Sequence, residues 1–301
     1  MPSAVARALV EALPYVQRWA GATVVVKYGG AAQTSAALAD AFVQDVVLLR
    51  AVGVEVVIVH GGGPAVSAMG ERLGLATRFV DGLRVTDDET MRVAQLVQVG
   101  GINRDILAAI GRRGGKAVGV SGHDSGGWLR ARVRRHTSRD TGEAVDLGRV
   151  GDIVDVDPTL LRSLSRLGQI PVIAPVAVDA AMEPLNVNAD SVATAVAGAL
   201  GARKLLFLTD VDGIRGPGGA VVPEVSASEL RAWIAAGVVS GGMIPKAEAC
   251  LAAVDAGVER VTIVDGRVEH AALIELLTDA GVGTMVVRDE AAGAAQAPPG
   301  E

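Results

Sequence analysis

The chain has 301 residues and a formal net charge of −6, and half of its residues are apolar whereas only 3% are aromatic. A mildly acidic chain of this length can bury a large core, but it lacks the basic surface that nucleic-acid binding requires. No apolar run reaches the length of a membrane helix, no cationic leader is visible, and Cys250 is the only cysteine. We therefore expect a cytoplasmic α/β protein that has no disulfide and contacts neither membrane nor nucleic acid.

The first predicted element is an N-terminal helical arm, residues 1–22. Apolar residues recur at helical spacing between Val5 and Val16, and Pro14 lies inside this pattern. Proline is expected to kink or break the helix at that point. The arm precedes the first predicted strand and has no core of its own to cover.

From residue 23 onward, predicted strands alternate with predicted helices. The strands read "TVVVKY", "VEVVIVH", "KAVGVSG", "QIPVIAPVAV", "KLLFLTDV", "RVTIVDG" and "GTMVVR". This alternation predicts a three-layer α/β/α sandwich around a mainly parallel open sheet. Two further stretches, "TRFVDGLRV" and the segment beginning "WLRARVRRH", alternate polar and apolar residues, which predicts added β-hairpins.

The predicted domains follow from this pattern. We expect one lobe over residues 23–200, a second lobe over residues 201–289, and a disordered tail over residues 290–301. His123 and His136, in the hairpin region of the first lobe, are expected to be solvated or hydrogen-bonded loop residues.

The strongest local signal is "VVIVHGGGP", in which a buried strand ends at His60 and Pro64 opens a helix. Glycines at such a turn let backbone amides approach an anion, and the helix dipole favours a phosphate or a carboxylate. The loop is not a dinucleotide fingerprint, because Val66 replaces the last glycine, and it lacks the Lys-Ser or Lys-Thr pair of a P-loop. The alternative is a tight strand-to-helix turn without a ligand.

Two other glycine-bearing segments, "KYGG" and "SGGMIPK", contribute Lys27 and Lys246, and "NVNAD" contributes Asp190. If these segments meet at the carboxyl edge of the sheet, one carboxylate can face two ammonium groups that clamp a polyanion. Such a clamp fits phosphoryl transfer, which depends on positioning and charge neutralisation. The alternative for each lysine is an isolated surface charge.

The chemical class of the phosphoryl acceptor can be inferred from the lack of a candidate catalytic base in the sequence. No His or Asp stands where it could deprotonate an alcohol, which favours a carboxylate acceptor and an acyl-phosphate product. Arg84 could bind a second carboxylate through two hydrogen bonds, and Asn186 and Asn188 could donate from their amides. The alternative for Arg84 is an exposed hairpin charge.

These motifs occur in a fixed order over about residues 8–288, and with them the chain resembles the acetylglutamate kinases of the amino acid kinase family. The ordered motifs are "VVVKYGG", "VIVHGGGP", "VDGLRVTD", "LNVNAD", "LTDVDGI", "GGMIPK" and "GVGTMV". The resemblance implies the amino acid kinase fold and ATP-dependent phosphorylation of the side-chain carboxylate of N-acetyl-L-glutamate, a step towards arginine. Mg²⁺ would arrive with the nucleotide, without a metal site of the protein's own.

The resemblance also implies roles for individual residues. Lys27 and Lys246 would stabilise the transferring phosphoryl group, and Asp190 would hold both lysines. The remaining implied residues are Gly62, Gly63, Arg84, Asn186 and Asn188 for the acetylated amino acid, and Gly29, Gly30, Thr209, Asp210, Gly213 and Lys246 for the phosphoryl group and ATP, with ATP mainly on the second lobe.

The arm "LVEALPYVQRWAG" is similar to that of the arginine-inhibited, hexameric branch of the family. This implies a homo-oligomer, either dimer or hexamer, and an arginine effector held by His270, Glu275 and Gly281; some relatives also bind a PII-type signalling protein. The chain departs from the pattern at "AAQTS" after "KYGG" and at "RGPGGAV", near which the family's arginine-binding lysine is expected and none occurs.

Two alternatives to this function stay open. One is a sister kinase that acts on another acylated or carrier-linked acidic amino acid. The other is a non-catalytic arginine sensor that retains the fold.

Overall fold

The computed structural model describes residues 2–139 and 141–289. Within these residues, none of the helices combines the length and the apolar character that crossing a membrane requires. The predicted disordered tail, residues 290–301, lies outside the described residues.

The helices and strands alternate along most of the chain. The α-helices are α1 (Pro2–Trp19), α2 (Ala31–Thr34), α3 (Ala36–Ala51), α4 (Gly63–Arg72), α5 (Asp88–Gln95), α6 (Asn103–Arg112), α7 (Thr159–Arg166), α8 (Ala189–Leu200), α9 (Ala227–Ala235), α10 (Ile244–Asp255) and α11 (Ala271–Leu277). The strands are β1 (Thr23–Tyr28), β2 (Glu55–His60), β3 (Phe79–Val80), β4 (Leu83–Arg84), β5 (Ala117–Val120), β6 (Leu129–Val133), β7 (His136–Thr137), β8 (Ala144–Val145), β9 (Gly151–Val156), β10 (Ile170–Ile173), β11 (Val176–Val178), β12 (Pro184–Asn186), β13 (Lys204–Thr209), β14 (Glu224–Ser226), β15 (Arg260–Asp265) and β16 (Gly283–Val287). A π-helix, Leu96–Ile102, joins α5 to α6, and short 3₁₀ helices cover Asp124–Gly126 and Gly241–Met243.

The described chain forms two compact units, one made of residues 2–56 and 197–289 and the other of residues 57–196. This division differs from the predicted lobes, because residues 23–56 group with the C-terminal part of the chain. The physical reason is strand pairing: β1 pairs in parallel with β13, so the first strand and helix fold with the later sequence. The assignment of substrates to lobes stays a prediction.

The first unit contains the strand order β14-β16-β15-β13-β1. Strands β1, β13 and β15 run parallel, and β16 is antiparallel to β15. The valines at positions 24–26 of β1 and the leucines at positions 205 and 206 of β13 are fully buried. Consecutive buried residues are typical of parallel strands that have both faces covered.

Helix α1 runs through Pro14 without a break, so of the predicted kink or break the break does not occur. Proline removes a single N–H donor, and hydrogen bonding continues beyond it, with the amide of Ala20 donating to the carbonyl of Val16 at 2.9 Å. Leu9 and Leu13 are exposed, whereas Trp19 is buried and its Nε1 donates to the carbonyl of Leu276 at 2.8 Å. The end of the arm is therefore fixed to the first unit at α11.

The second unit contains parallel pairs of β10 with β2 and with β5. A second sheet has the order β12-β11-β6-β9, and β3–β4 and β7–β8 form separate two-stranded hairpins. The α/β class, with a mainly parallel sheet, added hairpins and an N-terminal helix, is thereby confirmed. Strands β12 and β14 were not predicted, because each has only three residues and no alternating pattern.

Candidate active site

The loop after β1, in the first unit, holds two glycines against charged side chains. A Cβ atom at Gly29 would lie 2.8 Å from Nζ of Lys27, so the lysine side chain folds back over this glycine. Gly30 has a φ of 65°, and a Cβ there would collide with the carboxylate of Asp210. Glycine is required at position 30 both for the left-handed backbone and for the close approach of that carboxylate.

The structure thus brings together four of the residues predicted for the phosphoryl and nucleotide side. Lys27 is half-buried in β1, opposite Phe207 of β13, and Asp210 follows the end of β13 directly. Parallel strands end at a common edge, which explains why residues so distant in sequence meet. A basic group, an acidic group and a glycine turn are therefore adjacent at the carboxyl end of β1.

The other residues predicted for the nucleotide have mainly structural contacts. Thr209 is buried and pairs with Asp265 of β15, and its carbonyl accepts the amide of Gly266 at 2.8 Å. A Cβ at Gly213 would lie 2.6 Å from Oγ1 of Thr284, so this glycine allows close packing on β16.

The members of the predicted clamp are distributed over both units. Lys246 is half-buried in the first turn of α10, which Pro245 opens, and it belongs to the same unit as Lys27. Asp190 belongs to the second unit and is half-buried in the first turn of α8. The clamp formed by these three residues stays a prediction.

The second glycine loop, after β2, is backed by a buried histidine. His60 is fully buried, its Nδ1 donates to the carbonyl of Gly61 at 2.8 Å, and its Nε2 lies 3.3 Å from Nδ2 of Asn103. The same amide nitrogen of Asn103 donates to the carbonyl of Val172 at 2.9 Å, so Nε2 of His60 accepts. Burial lowers the pKa of His60 to about 4, and the imidazole is neutral at neutral pH.

Gly62 fits between uncharged neighbours. A Cβ at this position would lie 2.8 Å from Cδ1 of Ile102 and 3.1 Å from Cγ of Gln98, both on the π-helix. By contrast, a Cβ at Gly63 would meet open space. Gly63 begins α4, whose first-turn amides have no acceptor within the helix and can therefore face an anion.

Arg84 lies beside the start of α4. Its Nη2 donates to the carbonyl of Gly63 at 2.8 Å and to Oγ of Ser67 at 2.7 Å, and its guanidinium lies 4.8 Å from the ring centre of Phe79. Burial lowers the pKa of Arg84 from its ordinary value, but an arginine stays charged at neutral pH. Arg84 is therefore a half-buried cation at a helix N-terminus, not an isolated hairpin charge.

The two predicted asparagines lie close together in sequence but have different contacts. Nδ2 of Asn186 donates to Oγ1 of Thr86 at 3.2 Å, and that hydroxyl donates to the carbonyl of Arg84 at 3.0 Å. Oδ1 of Asn188 instead accepts the amide of Asp190 at 2.7 Å and so caps α8. Gly62, Gly63, Arg84 and Asn186 are thus connected in one cluster of the second unit.

Of the predicted effector residues, Glu275 and Gly281 are adjacent. A Cβ at Gly281 would lie 3.9 Å from Oε2 of Glu275. Oε1 of Glu275 accepts from Nζ of Lys204 at 2.6 Å and from Oγ1 of Thr262 at 3.0 Å. The side chains of Lys204 and Glu275 are only 4% and 6% exposed, and desolvation lowers the pKa of Lys204 although Glu275 counteracts it.

The third predicted effector residue, His270, contacts Asp45. Its Nδ1 is 2.6 Å from Oδ1 of Asp45, whose carboxylate also accepts the backbone amides of Ala272 and Leu273 at the start of α11. Burial raises the pKa of Asp45, and these hydrogen bonds counteract the increase.

The sequence patterns missed three groups in these clusters. Lys204 has no distinctive local signal, because it begins an otherwise apolar strand. Asp45 and Asn103 lie inside helical patterns that predict core packing only. Among the described residues, no group of three or more His, Cys, Asp and Glu side chains could hold a metal ion.

Comparison with known proteins adds independent information. The sequence profile of the amino acid kinase family matches residues 22–265. The chain is 51% identical over 286 residues to the acetylglutamate kinase of Symbiobacterium thermophilum, covering 94% of this chain and 97% of that one. It is 50% identical to the acetylglutamate kinase of Gluconacetobacter diazotrophicus, covering 93% and 90% of the two chains.

Solved structures give the same fold. The N-acetylglutamate synthase of Neisseria gonorrhoeae, in complex with coenzyme A and N-acetyl-glutamate, matches with a TM-score of 0.81 and 27% identity. The match covers 94% of this chain, which spans 63% of the length of that synthase chain. The carbamate kinase of Giardia lamblia bound to AMP-PNP matches with a TM-score of 0.65 at 16% identity, which concerns the fold alone.

Proposed function

The chain belongs to the amino acid kinase family, and from this we propose that it transfers the γ-phosphoryl group of ATP to the side-chain carboxylate of N-acetyl-L-glutamate. The relatives that are about half identical over more than 90% of the chain are acetylglutamate kinases. The product would be an acyl phosphate, N-acetylglutamyl 5-phosphate, an intermediate on the way to arginine.

The observation that carries the proposal is the position of Arg84 beside the N-terminus of α4. A guanidinium and a set of helix amides together can bind an anion that has two acceptor oxygens. An acylated acidic amino acid has a carboxylate for Arg84 and an amide for the asparagine Asn186. The solved synthase relative with bound N-acetyl-glutamate supports the same ligand class.

The chemistry requires charge neutralisation more than proton transfer. The acceptor carboxylate is already ionised at neutral pH, so no base is needed. We propose that Lys27 and Lys246 donate to the oxygens of the migrating phosphoryl group, while Asp190 orients the two ammonium groups. Backbone amides at Gly29 and Gly62 would complete the set of donors.

The nucleotide is proposed to lie on the side of Lys27 and Asp210. The carboxylate of Asp210 against Gly30 fits a magnesium nucleotide, because Mg²⁺ prefers carboxylate and phosphate oxygens. Bound Mg²⁺ would neutralise phosphate charge, and the residues of this chain would position the acceptor and exclude water. Thr209 and Gly213 would shape the same region.

A hydroxylamine-trapping assay tests the activity. With ATP and Mg²⁺, the protein should form a hydroxamate from N-acetylglutamate and much less from N-acetylaspartate or an acylated aminoadipate. Preference for another acid would favour the sister kinase, and absence of hydroxamate from every acid would favour a non-catalytic sensor. Arg84→Lys should raise KM for the acid about tenfold or more, whereas the exposed Arg78→Lys should not.

Inhibition by arginine is a second part of the proposal. Glu275 is an acidic group next to Gly281, and Arg18, Arg203 and Lys204 surround the ring of Trp19 at 5.3–5.9 Å. Opposite charges in one region suit a zwitterionic amino acid that also has a guanidinium. Arginine should lower the hydroxamate yield of the wild type and less so that of Glu275→Gln. Equal inhibition of both proteins would contradict a role for Glu275.

Assembly and location complete the proposal. Exposed Leu9 and Leu13 on α1 support a homo-oligomer, a dimer or a hexamer, in which the arms contact one another. Deletion of residues 1–13, which removes the exposed leucines but leaves buried Trp19 in place, should reduce the mass measured by light scattering and leave the hydroxamate yield largely intact, and an unchanged mass would contradict this role. We propose a cytoplasmic enzyme, with a PII-type protein as a further candidate partner.

A further inference from the structure

The tip of the β3–β4 hairpin is fixed to a second hairpin by a charged contact. Oδ2 of Asp81 lies 2.6 Å from Nε2 of His136, in β7, and it also accepts the backbone amide of Arg139 at 2.9 Å. The side chains of His136 and Asp81 are only 10% and 8% exposed. The contact is therefore largely shielded from water, unlike an ordinary surface ion pair.

The backbone of the tip is shaped to direct this carboxylate. Asp81 and Gly82 both have positive φ, 50° and 80°, between the paired residues Val80 and Leu83. Asp-Gly with two left-handed residues is the sequence and geometry of a type I′ hairpin turn. Hydrogen bonds from Arg139 and His136 lower the pKa of Asp81, so the carboxylate is ionised at neutral pH.

This hairpin needs external support, because it is very small. Each strand has two residues, and a two-stranded ribbon is at best marginally stable by itself. Its base is held where Thr86 exchanges backbone hydrogen bonds with Leu147 and Arg149, at 2.9 and 2.6 Å. The Asp81 contact holds the opposite end, so the hairpin is anchored at both ends.

Arg84 depends on the position of this hairpin. It pairs with Phe79 across the two strands, and its guanidinium lies over the ring of that residue. Movement of the tip would shift Phe79 and Arg84 away from the N-terminus of α4. An error of about 1 Å in the placement of a binding group can reduce efficiency by about 10²-fold.

We propose that Asp81 and His136 are positioning residues, whose contact holds the β3–β4 hairpin where Arg84 binds the carboxylate of the acidic substrate. The inference rests on the proposed function, since it assigns Arg84 to that substrate. Neither residue touches the acid in this scheme. Their loss should weaken binding of the acid and leave the handling of ATP unchanged.

The test compares KM and kcat in the full-length protein. Asp81→Ala should raise KM for N-acetylglutamate about tenfold or more, with kcat and KM for ATP within about threefold of wild type. His136→Ala should behave similarly, and His136→Gln, which keeps an N–H donor, should recover part of the loss. The matched control is Asp152→Asn, which alters the more solvent-accessible Arg134–Asp152 pair of the same unit and should change neither constant.

Hydrogen exchange of residues 79–84, without substrate, provides a second readout. Asp81→Asn keeps the size of the side chain but loses the charge, and it should increase exchange in this segment while the strands of the main sheet stay protected. Wild-type KM together with unchanged exchange in Asp81→Ala and Asp81→Asn would overturn the inference, as would equal increases of KM for the acid and for ATP. If the wild type forms no hydroxamate, the proposed function fails instead, and exchange still decides whether the contact holds the hairpin.

Discussion

The two glycine loops look alike in sequence but have opposite surroundings. In the loop after β1, Gly29 and Gly30 make room for the ammonium of Lys27 and the carboxylate of Asp210. In the loop after β2, Gly62 makes room for the uncharged side chains of Ile102 and Gln98. The first loop therefore holds a lysine and a carboxylate, whereas the second has uncharged side chains behind Gly62 and the cation Arg84 at the carbonyl of Gly63.

This difference separates two tasks of a phosphoryl-transfer enzyme. The negative phosphoryl group that leaves the nucleotide needs positive charge close by, and the ammonium of Lys27 at the first loop supplies it. An acceptor anion at the N-terminus of α4 would be bound by fixed helix amides together with the guanidinium of Arg84. The neutral state of buried His60 fits the second task.

The largest effect should follow removal of the lysine side chains that are proposed to bind the transferring phosphoryl group. Lys27→Ala and Lys246→Ala should each lower kcat by about 10²- to 10³-fold, because each removes a donor to the transferring group. The exposed Lys116→Ala is the control and should leave kcat unchanged. Near-normal kcat in Lys246→Ala would exclude that lysine from the chemistry and leave Lys27 as the proposed lysine donor.

The next effect concerns His60, which lies behind the second loop, and it is a loss of folding stability that appears only at acidic pH. The pKa of His60 is about 4 when folded and 6.5 when unfolded, so between these values the unfolded state binds more protons. Its contribution to stability is complete above pH 6.5 and declines by up to about 3 kcal/mol as the pH falls to 4. Urea unfolding at several pH values should therefore show a shallower acid dependence for His60→Gln than for wild type.

The control for this experiment is His123→Gln, because His123 is exposed on a loop. Its acid dependence should match that of wild type. If His60→Gln also retained the full wild-type dependence, the imidazole would not be the group that keeps the second loop neutral.

The positions of the two glycine loops could be predicted because their signals are local. Strand-glycine-helix patterns located both loops, and the arginine in "DGLRVTD" stands out as a cation in a hairpin. The division of the chain was harder to predict, because pairing of β1 with β13 joins segments about 180 residues apart. No local pattern encodes that pairing.

Two long-range contacts near the predicted residues were also hidden from the sequence. Asp81 and His136 are 55 residues apart, and Lys204 and Glu275 are 71 apart. Taken alone, each of these side chains has only the local pattern of a turn, a loop, a strand end or, for Glu275, a helix. Only the folded chain brings the partners together, so their roles had to come from geometry.

The smallest effect tests the surroundings of the two glycines directly. Gly30→Ala should cost about 2 kcal/mol of stability, because alanine is strained at positive φ and its Cβ displaces Asp210. Gly62→Ala should cost about 1 kcal/mol, since the nearest obstacle to its Cβ is the terminal methyl of the Ile102 side chain. Gly111→Ala, in an uncrowded position of α6, should instead stabilise by about 0.5–1 kcal/mol and serves as the control.

A double-mutant cycle separates the two causes at Gly30. In an Asp210→Ala background the carboxylate is absent, so Gly30→Ala should retain only the backbone strain and cost about 1 kcal/mol less than in wild type. Urea unfolding of the four proteins measures this coupling. A cost that is the same in both backgrounds would mean that the carboxylate does not press on Gly30, and the charged surroundings of the first loop would then reduce to Lys27 alone.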